Sequence, residues 1–312
     1  MILTITLTLP SIGRISASIS IKMSYDLSVI IVNWNTRNLL KKCLESIKAH
    51  TKKISLEIIV VDNASTDGSA DMVKSNFPEV ILIKNKKNLG YGRASNQGLA
   101  RARGKYVLFL NSDIDVNPNC LDEMFSFMES KVEVGASACK LTYPDGSLQH
   151  SCRQFPSFKV FFLMLLGLRA VFPKMRIFRE YLMLDWDHAD LREVDQIMGS
   201  FMFVRKDVLD QVGGFDERFW MYFEEVDLCL RIKKAGWKIV HYPKASAVHH
   251  MSKSSEKWPP AKRMVEFNKS LLKYFQKNGR AYQYCLLSLL NRIRLLMLPF
   301  WKFRSSMDKE RI

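Results

Sequence analysis

The opening third of the chain predicts an α/β fold in which a mostly parallel central sheet is flanked by helices. Three observations carry that expectation. Short, continuous apolar runs recur at Leu27–Val32, Leu56–Val61, Val80–Ile83 and Tyr106–Leu110. Segments with helical spacing of apolar residues lie between them. Each run also ends in a cluster of Asn, Asp or Gly. Strands that read as unbroken apolar runs are buried on both faces, and the alternating helices supply the cover.

The elements follow in order. After the first strand, Thr36–His50 places Leu39, Leu40, Cys43, Leu44 and Ile47 at helical spacing. The second strand ends in Asp62-Asn63-Ala64-Ser65-Thr66-Asp67-Gly68. The third leads to Asn88-Leu89-Gly90-Tyr91-Gly92, a turn, and a helix from Arg93 to Arg103 that Gly104 ends. The fourth ends in Asn111-Ser112-Asp113. Further on, Phe201–Val204 reads as a strand before a short helix and the loop Gly213-Gly214-Phe215-Asp216-Glu217. A helix beginning at Phe223-Glu224-Glu225 closes at Ala235-Gly236-Trp237, and a last strand, Ala245–Val248, runs into His249-His250.

Composition bounds the function. The 312 residues carry 47 Lys+Arg against 31 Asp+Glu, and 47% are hydrophobic, the balance of a folded protein. The six cysteines lie far apart with no CxxC pair, which argues against a zinc site or a disulfide framework and for a reduced, cytosolic setting. The positive charge is concentrated from Met251 onward, where 14 basic residues face 4 acidic ones. Tyr282, Leu286, Leu289, Ile293, Phe300 and Trp301 interleave there with Arg292, Arg294, Lys302 and Arg304, too charged a pattern for a bilayer span. Residues 255–312 are therefore expected to form a basic amphipathic helical tail on an anionic membrane surface, or else a helix packed on the domain with a solvated basic face. No nucleic-acid motif accompanies the charge, so no nucleic-acid partner is expected. A second apolar stretch, Val160–Leu168, is too short to span a membrane and reads as a buried helix or an interfacial loop. Residues 1–23 lack the basic start of a signal peptide and are expected to be a disordered extension or a mis-assigned start.

Ligands of parallel sheets bind at the carboxyl ends of the strands, where these polar clusters fall. Asn33-Trp34-Asn35 can hold a sugar or base edge, or cap the next helix. Asp62 can accept from a base or ribose, whereas Asp67-Gly68 is read as a helix cap. Asn88 and the Gly90-Tyr91-Gly92 turn allow close approach of backbone to a ligand. Asp113, with Asp115 two residues on, suits a divalent cation bridging two phosphates, or an Asx turn before Pro118. Glu224, Glu225 and Asp227 at a helix start provide a general base opposite such a site. His249-His250 reads as structural or as a nitrogen ligand to the metal.

In order, these pieces resemble the family 2 glycosyltransferases, inverting enzymes with the GT-A fold, and especially their rhamnosyltransferase-like bacterial branch. The resemblance spans Leu27 to Ser254 and rests on VIIVNWN, VVDNASTDGS, NLGYGRASNQG, LFLNSD, the Gly-Gly-Phe-Asp-Glu loop, FEEVDLCLRIKKAGW and the closing His pair. It implies a GT-A domain over residues 24–254 that transfers a sugar from a nucleotide diphosphate donor with Mg²⁺ or Mn²⁺. Asp62 then looks like the base- or ribose-binding carboxylate, and Asn33, Asn35, Asn88, Gly90, Asn96 and Asn111 are the other candidate donor-binding residues. Asn111 and Asp113 match the DXD positions, with Asp113 as the metal ligand and His249 beside it. Glu224-Glu225 stands where the family has Glu-Asp, so the catalytic base is Glu225 or Glu224; Asp227 and Arg231 are expected to pair with each other. The branch further implies a dTDP- or UDP-sugar donor, with rhamnose the first choice. It also implies a lipid-linked saccharide acceptor and work at the inner face of the cell membrane. Other classes are a sugar nucleotidyltransferase, which Asn33-Trp34-Asn35 does not suit because it is no glycine-rich phosphate loop, and a non-catalytic sugar-nucleotide-binding protein.

Overall fold

The computed structural model describes residues 3–7, 15–19, 25–251 and 258–297. Within the leading extension, β1 (Leu3–Leu7) and β2 (Ile15–Ile19) pair antiparallel with each other. The alternating unit follows as β3 (Tyr25–Asn33), α1 (Arg37–His50), β4 (Leu56–Asp62), α2 (Ser69–Asn76), β5 (Ile81–Lys84), α3 (Tyr91–Leu99) and β6 (Gly104–Asn111). The short β7 (Ile114–Val116), α4 (Cys120–Ser130) and β8 (Val134–Thr142) complete the first half. Small elements come next: β9 (Leu148–Gln149), β10 (Cys152–Arg153), α5 (Phe158–Leu165), α6 (Leu168–Val171), α7 (Arg176–Leu182), β11 (Arg192–Glu193) and β12 (Gln196–Ile197). The second half closes with β13 (Phe201–Arg205), α8 (Lys206–Val212), α9 (Glu224–Lys234), β14 (Lys238–His249), α10 (Pro260–Asn278) and α11 (Ala281–Met297).

The central sheet runs β11-β14-β8-β13-β6-β3-β4-β5. β3, β4, β5 and β6 are parallel, β14 is parallel to β8, and β13 is inserted antiparallel between β6 and β8. The chain moves outward from β3 through β4 to β5, then crosses to β6 on the other side. That reversal opens a crevice at the carboxyl ends of β3 and β6, the usual ligand site of such sheets. Register brings the polar ends level: Asn33 lies opposite Asp62, and Val32 opposite Asn111.

Each sheet face is apolar because the strand side chains alternate between two cores. Leu27, Val29 and Ile31 pack under Leu40, Cys43, Leu44 and Ile47 of α1 and under α2 and α4. Ile30, Ile59 and Phe109 face Ala94 of α3, Val208 of α8, and Leu228 and Ile232 of α9 on the other side. α3 begins at Tyr91 and ends at Leu99, short of the Arg103 expected from sequence, and the chain then turns through Arg101 N–H to Gly98 O and Ala102 N–H to Leu99 O. β14 is far longer than its apolar half, Ala245–Val248, suggested. Its register with β8 slips between Tyr242 and Ser246, around Pro243, which lacks the N–H a ladder needs.

A third core joins the remaining helices. Val160, Phe161 and Leu165 of α5, Phe178 of α7, Leu271 and Phe275 of α10 and Leu287 of α11 surround Phe219 and Phe223. Val160–Leu168 is thus mostly a packed helix rather than a loop. α10 is tied to the domain by Ser270 Oγ, which donates to Met221 O at 2.7 Å, and by Lys277, 2.7 Å from both Asp216 and Asp227. α11 turns only one face inward: Tyr282, Leu286, Leu289 and Ile293 are exposed. Lys302, Arg304, Phe300 and Trp301 lie outside the described residues. Among the described residues no helix is long and apolar enough to cross a membrane.

Candidate active site

The carboxyl edge is built on asparagines. Asn33 is buried, and its Nδ2 donates to Asp62 Oδ1 and Ser65 Oγ, both at 3.1 Å, while its Oδ1 accepts from Thr36 Oγ1 at 2.6 Å. It therefore aims Asp62 rather than presenting its own amide, and Thr36 bonds Asn33 and Ser112 instead of capping α1. Asp62 Oδ2 accepts from Ser65 N–H at 3.1 Å. Asn35, at a positive φ of 56°, accepts from Thr66 N–H at 2.7 Å and donates its own N–H to Ser65 Oγ. Asp67 accepts from Arg37 N–H at 2.8 Å and from Ser69, so it serves the start of both α1 and α2, and against the upward push of burial these hydrogen bonds together hold it below the ordinary carboxylate range.

The next turn hangs on a residue the sequence did not single out. Asn63 donates to Asn88 Oδ1 at 2.9 Å and Gly90 O at 3.2 Å, and accepts from Leu89 N–H and Asn85 Nδ2. Asn88 also accepts from Gly90 N–H at 2.9 Å. The close approach at Gly90 is to the chain itself: at φ 85°, an added Cβ would stand 2.2 Å from Trp220 O. Asn96 sits farther along α3 and clamps the Gly-Gly-Phe-Asp-Glu loop, donating to Phe215 O at 2.8 Å and accepting from Phe215 N–H at 2.9 Å. Trp34, Trp258 and Trp220 form an aromatic cluster, the last two stacked at 4.8 Å.

β7 brings the second group together. Its antiparallel pairing with β14 sets Ile114 opposite His249 and Val248 opposite Asp115. His249 Nε2 then stands 3.2 Å from Asp113 Oδ1, both residues buried, and His250 lies 2.8 Å from Asp115. Gln149 fixes the His249 ring. Its Nε2 donates to Met251 Sδ at 3.2 Å, which leaves Oε1 to accept from His249 Nδ1 at 2.9 Å. With Nδ1 engaged by Gln149, the buried Nε2 is left without a hydrogen bond and faces a carboxylate oxygen. A hard divalent cation relieves that opposition, so the residues present fit one. Among the described residues no three His, Cys, Asp or Glu converge on a point, so further ligands would be phosphate oxygens and water, the habit of Mg²⁺ and Mn²⁺. Asn111 anchors the edge through its backbone, its N–H donating to Ser200 O at 2.9 Å.

The third group is the start of α9, where Phe223 at φ 68° breaks the approaching chain. Glu224 is buried and Glu225 half-buried, and each keeps Oε2 without a hydrogen-bond partner. Burial, then the neighbouring Glu225, pushes Glu224 well above the ordinary carboxylate range. Burial also raises Glu225, against its backbone hydrogen bonds and the charge of Arg153. Tyr91 packs beside both. Its hydroxyl donates to Gly199 O at 2.7 Å, and a Cβ at Gly199 would stand 3.3 Å from Glu225 Cβ and 3.6 Å from the Tyr91 ring. Burial raises the Tyr91 hydroxyl, as do the charges of Glu224, Glu225 and, less strongly, Asp113. Asp227 points away, paired with Arg231 at 2.9 Å as its spacing implied and with Lys277 of α10 at 2.7 Å.

A profile of the family described as Glycosyl transferase family 2 matches residues 28–213. The chain belongs to that family. Its fold is the GT-A fold: a mannosyltransferase of Pyrobaculum calidifontis, solved with GDP-Man and Mn²⁺, superposes with a TM-score of 0.54 at 18% identity, over 88% of this chain and 72% of that one. A second profile, described as the N-terminal domain of galactosyltransferase, matches residues 188–254, the span holding Glu224, Glu225 and His249. Among curated family members, the chain is 31% identical to an N-acetylglucosaminyl-diphospho-decaprenol L-rhamnosyltransferase of Mycobacterium tuberculosis, over 78% of this chain and 82% of that protein. It is 29% identical to the rhamnosyltransferase WbbL of Escherichia coli, over 71% of this chain and 82% of the relative.

Proposed function

We propose that this glycosyltransferase moves a sugar, rhamnose in the first instance, from a dTDP- or UDP-sugar to a hydroxyl of a lipid-linked, diphosphate-bearing saccharide in cell-surface polysaccharide synthesis. The observation that carries the reading is the buried Asp113–His249 pair, 3.2 Å apart, together with a Glu224–Glu225 pair whose side chains pack against Gly92 and Gly199, the latter also beside the Tyr91 ring. Similarity to rhamnosyltransferases supports the choice of sugar and acceptor.

Each side chain then has a task. Asp62, held by Asn33 and Ser65, accepts from the base or ribose of the donor. Asp113 and His249 would hold Mg²⁺ or Mn²⁺. Bound there, the ion would neutralise charge growing on the departing diphosphate. Glu225, with Glu224 beside it, takes the proton of the acceptor hydroxyl. As that proton moves to the carboxylate, the oxygen forms its bond to the anomeric carbon. The carbon–phosphate-oxygen bond breaks on the opposite side, and the nucleoside diphosphate leaves with the electron pair. One displacement inverts the configuration. A carboxylate whose affinity for protons is raised by burial is the stronger base for this step.

Lipid-linked acceptors are met at a bilayer, and α11 suits that place. The exposed Tyr282, Leu286, Leu289 and Ile293 form a stripe along one face, with Arg292 among them. The enzyme works, on this reading, peripherally at the inner face of the cell membrane. The test is nucleotide release against a panel of dTDP-, UDP- and GDP-sugars with Mn²⁺, Mg²⁺ or EDTA and a membrane lipid extract. Release from one donor that needs both metal and extract supports the reading. Release without metal removes the role given to Asp113 and His249, and silence with every donor removes the transferase.

A further inference from the structure

Beside the carboxylate pair lies a cavity of about 740 Å³ to which the reaction above gives no role. Its wall joins both halves of the site. Gln149, which holds His249, and Met251 line one part. Met198, next to the Gly199 that abuts Glu225, and Arg153 line another. Arg169 of α6 adds a second guanidinium, and Leu182, Leu184 and Leu148 add apolar wall. Among the described lining residues the carboxylate is Asp145, which accepts from Ser147 N–H at 2.9 Å. The lining is thus cationic and apolar together, which suits an anionic group carrying a hydrocarbon chain.

The surroundings of Arg169 point the same way. Leu166, Val171 and Phe172 flank it in sequence and are all exposed, Val171 at 67% and Phe172 at 55%. An arginine among solvent-facing apolar side chains fits the headgroup boundary of a bilayer. α6 follows α5 directly, and α5 packs against α11 where Phe158 meets Tyr282, ring centres 5.9 Å apart. Rim and α11 stripe therefore belong to neighbouring elements.

We propose that this cavity receives the diphosphate of a polyprenyl-diphosphate-linked sugar, with Arg153 and Arg169 as its cations and the polyprenyl chain leaving past Leu166, Val171 and Phe172. The inference rests on the acceptor reading above and adds the groups that recognise it. Guanidinium groups match phosphate oxygens with paired hydrogen bonds, which a neutral sugar alone would not need. The position beside Glu225 sets the acceptor sugar within reach of the base, while the donor diphosphate belongs to Asp113 and His249.

The test separates acceptor from donor and lipid from free phosphate. Full-length wild type, Arg169→Gln, Arg153→Gln and Arg169→Lys are assayed with a polyprenyl-diphospho-N-acetylglucosamine in detergent micelles. The same proteins are titrated with sugar-free polyprenyl diphosphate and with inorganic pyrophosphate, and each variant's Tm is recorded. Loss of one charge-assisted contact is expected to raise acceptor KM and polyprenyl diphosphate Kd by about tenfold or more for either Gln variant, with donor KM little changed. Arg169→Lys, which keeps the charge, is expected to recover part of the loss. An unchanged Kd in both Gln variants, a rise in donor KM alone, or pyrophosphate binding as tight as that of the lipid would each overturn the proposal. Arginine-dependent binding of polyprenyl diphosphate by a protein that transfers no sugar would sink the transferase and leave the cavity assignment standing. Sugar transfer with acceptor KM indifferent to both arginines would do the reverse.

Discussion

Two adjacent glutamates are both raised by burial, and Glu224 is raised further by the charge of Glu225. Glu225→Gln is expected to lower kcat by about 10²–10⁴-fold while nucleotide-sugar binding, followed by calorimetry, survives. If Glu224→Gln shows the larger fall, the roles exchange. The same pair burdens the fold. Its folded-state proton affinity exceeds the unfolded one, so its contribution to stability is greatest below the unfolded carboxylate pKa and declines as pH rises through the folded value. Glu224→Gln is therefore expected to gain stability over wild type at pH 8 and to gain less at pH 5, as read by urea denaturation at each pH. At the other pair, Asp113→Ala is expected to abolish the dependence of donor affinity on Mn²⁺, and retention of full metal-dependent affinity would assign the ion to other ligands.

Turns and short strands, more than long helices, decide where these side chains stand. Gly90 illustrates the point: Gly90→Ala would drive a methyl into Trp220 O at a φ that favours glycine. It is expected to cost about 1–3 kcal/mol in chemical denaturation and to raise donor KM, since the same turn carries Asn88. At this scale the sequence was readable where patterns are local. The runs that became β3, β4, β5 and β6, the helix α1 and the acidic start of α9 all lie within single windows, where periodicity reports burial. Asp67 likewise declared itself as a cap by standing beside Gly68. The misses share a non-local cause. Nothing in a window around Asn63 shows that it will bond Asn88, nor around Asn96 that it will clamp Phe215, 119 residues away. β13 gives no local sign of running antiparallel between β6 and β8, and Pro243 hid the first half of β14. Gln149 looks like an ordinary loop residue until the fold sets it beside His249, and Arg153 until the fold brings it to the wall of the cavity that Gln149 also lines.

At the scale of the whole molecule, peripheral binding as proposed above would draw on the excess charge of +16 and the apolar stripe on α11 together. Binding to vesicles rich in anionic lipid is expected to weaken steeply as salt rises from about 0.05 to 0.5 M, because screening shortens the reach of surface charges. Removing α11 outright would expose Leu287 and break the Asn268–Asn291 hydrogen bond of 2.8 Å, so deletion confounds anchoring with packing. Replacing the exposed Leu286, Leu289 and Ile293 by Ser is the cleaner change. It is expected to release the protein from vesicles in a flotation assay at unchanged Tm, and persistent binding would move the contact elsewhere. The pairing of β7 with β14 has a consequence for synthesis in the cell. Asp115 and His250 are 135 residues apart, and Asp113 meets His249 only when the last strand is laid down. A nascent chain can assemble its asparagine-built edge early, as β3, β4 and β6 emerge. It cannot offer the Asp113–His249 pair until β14 has emerged and paired with β7, so a cation held there, on the reading proposed above, would bind only after that late pairing.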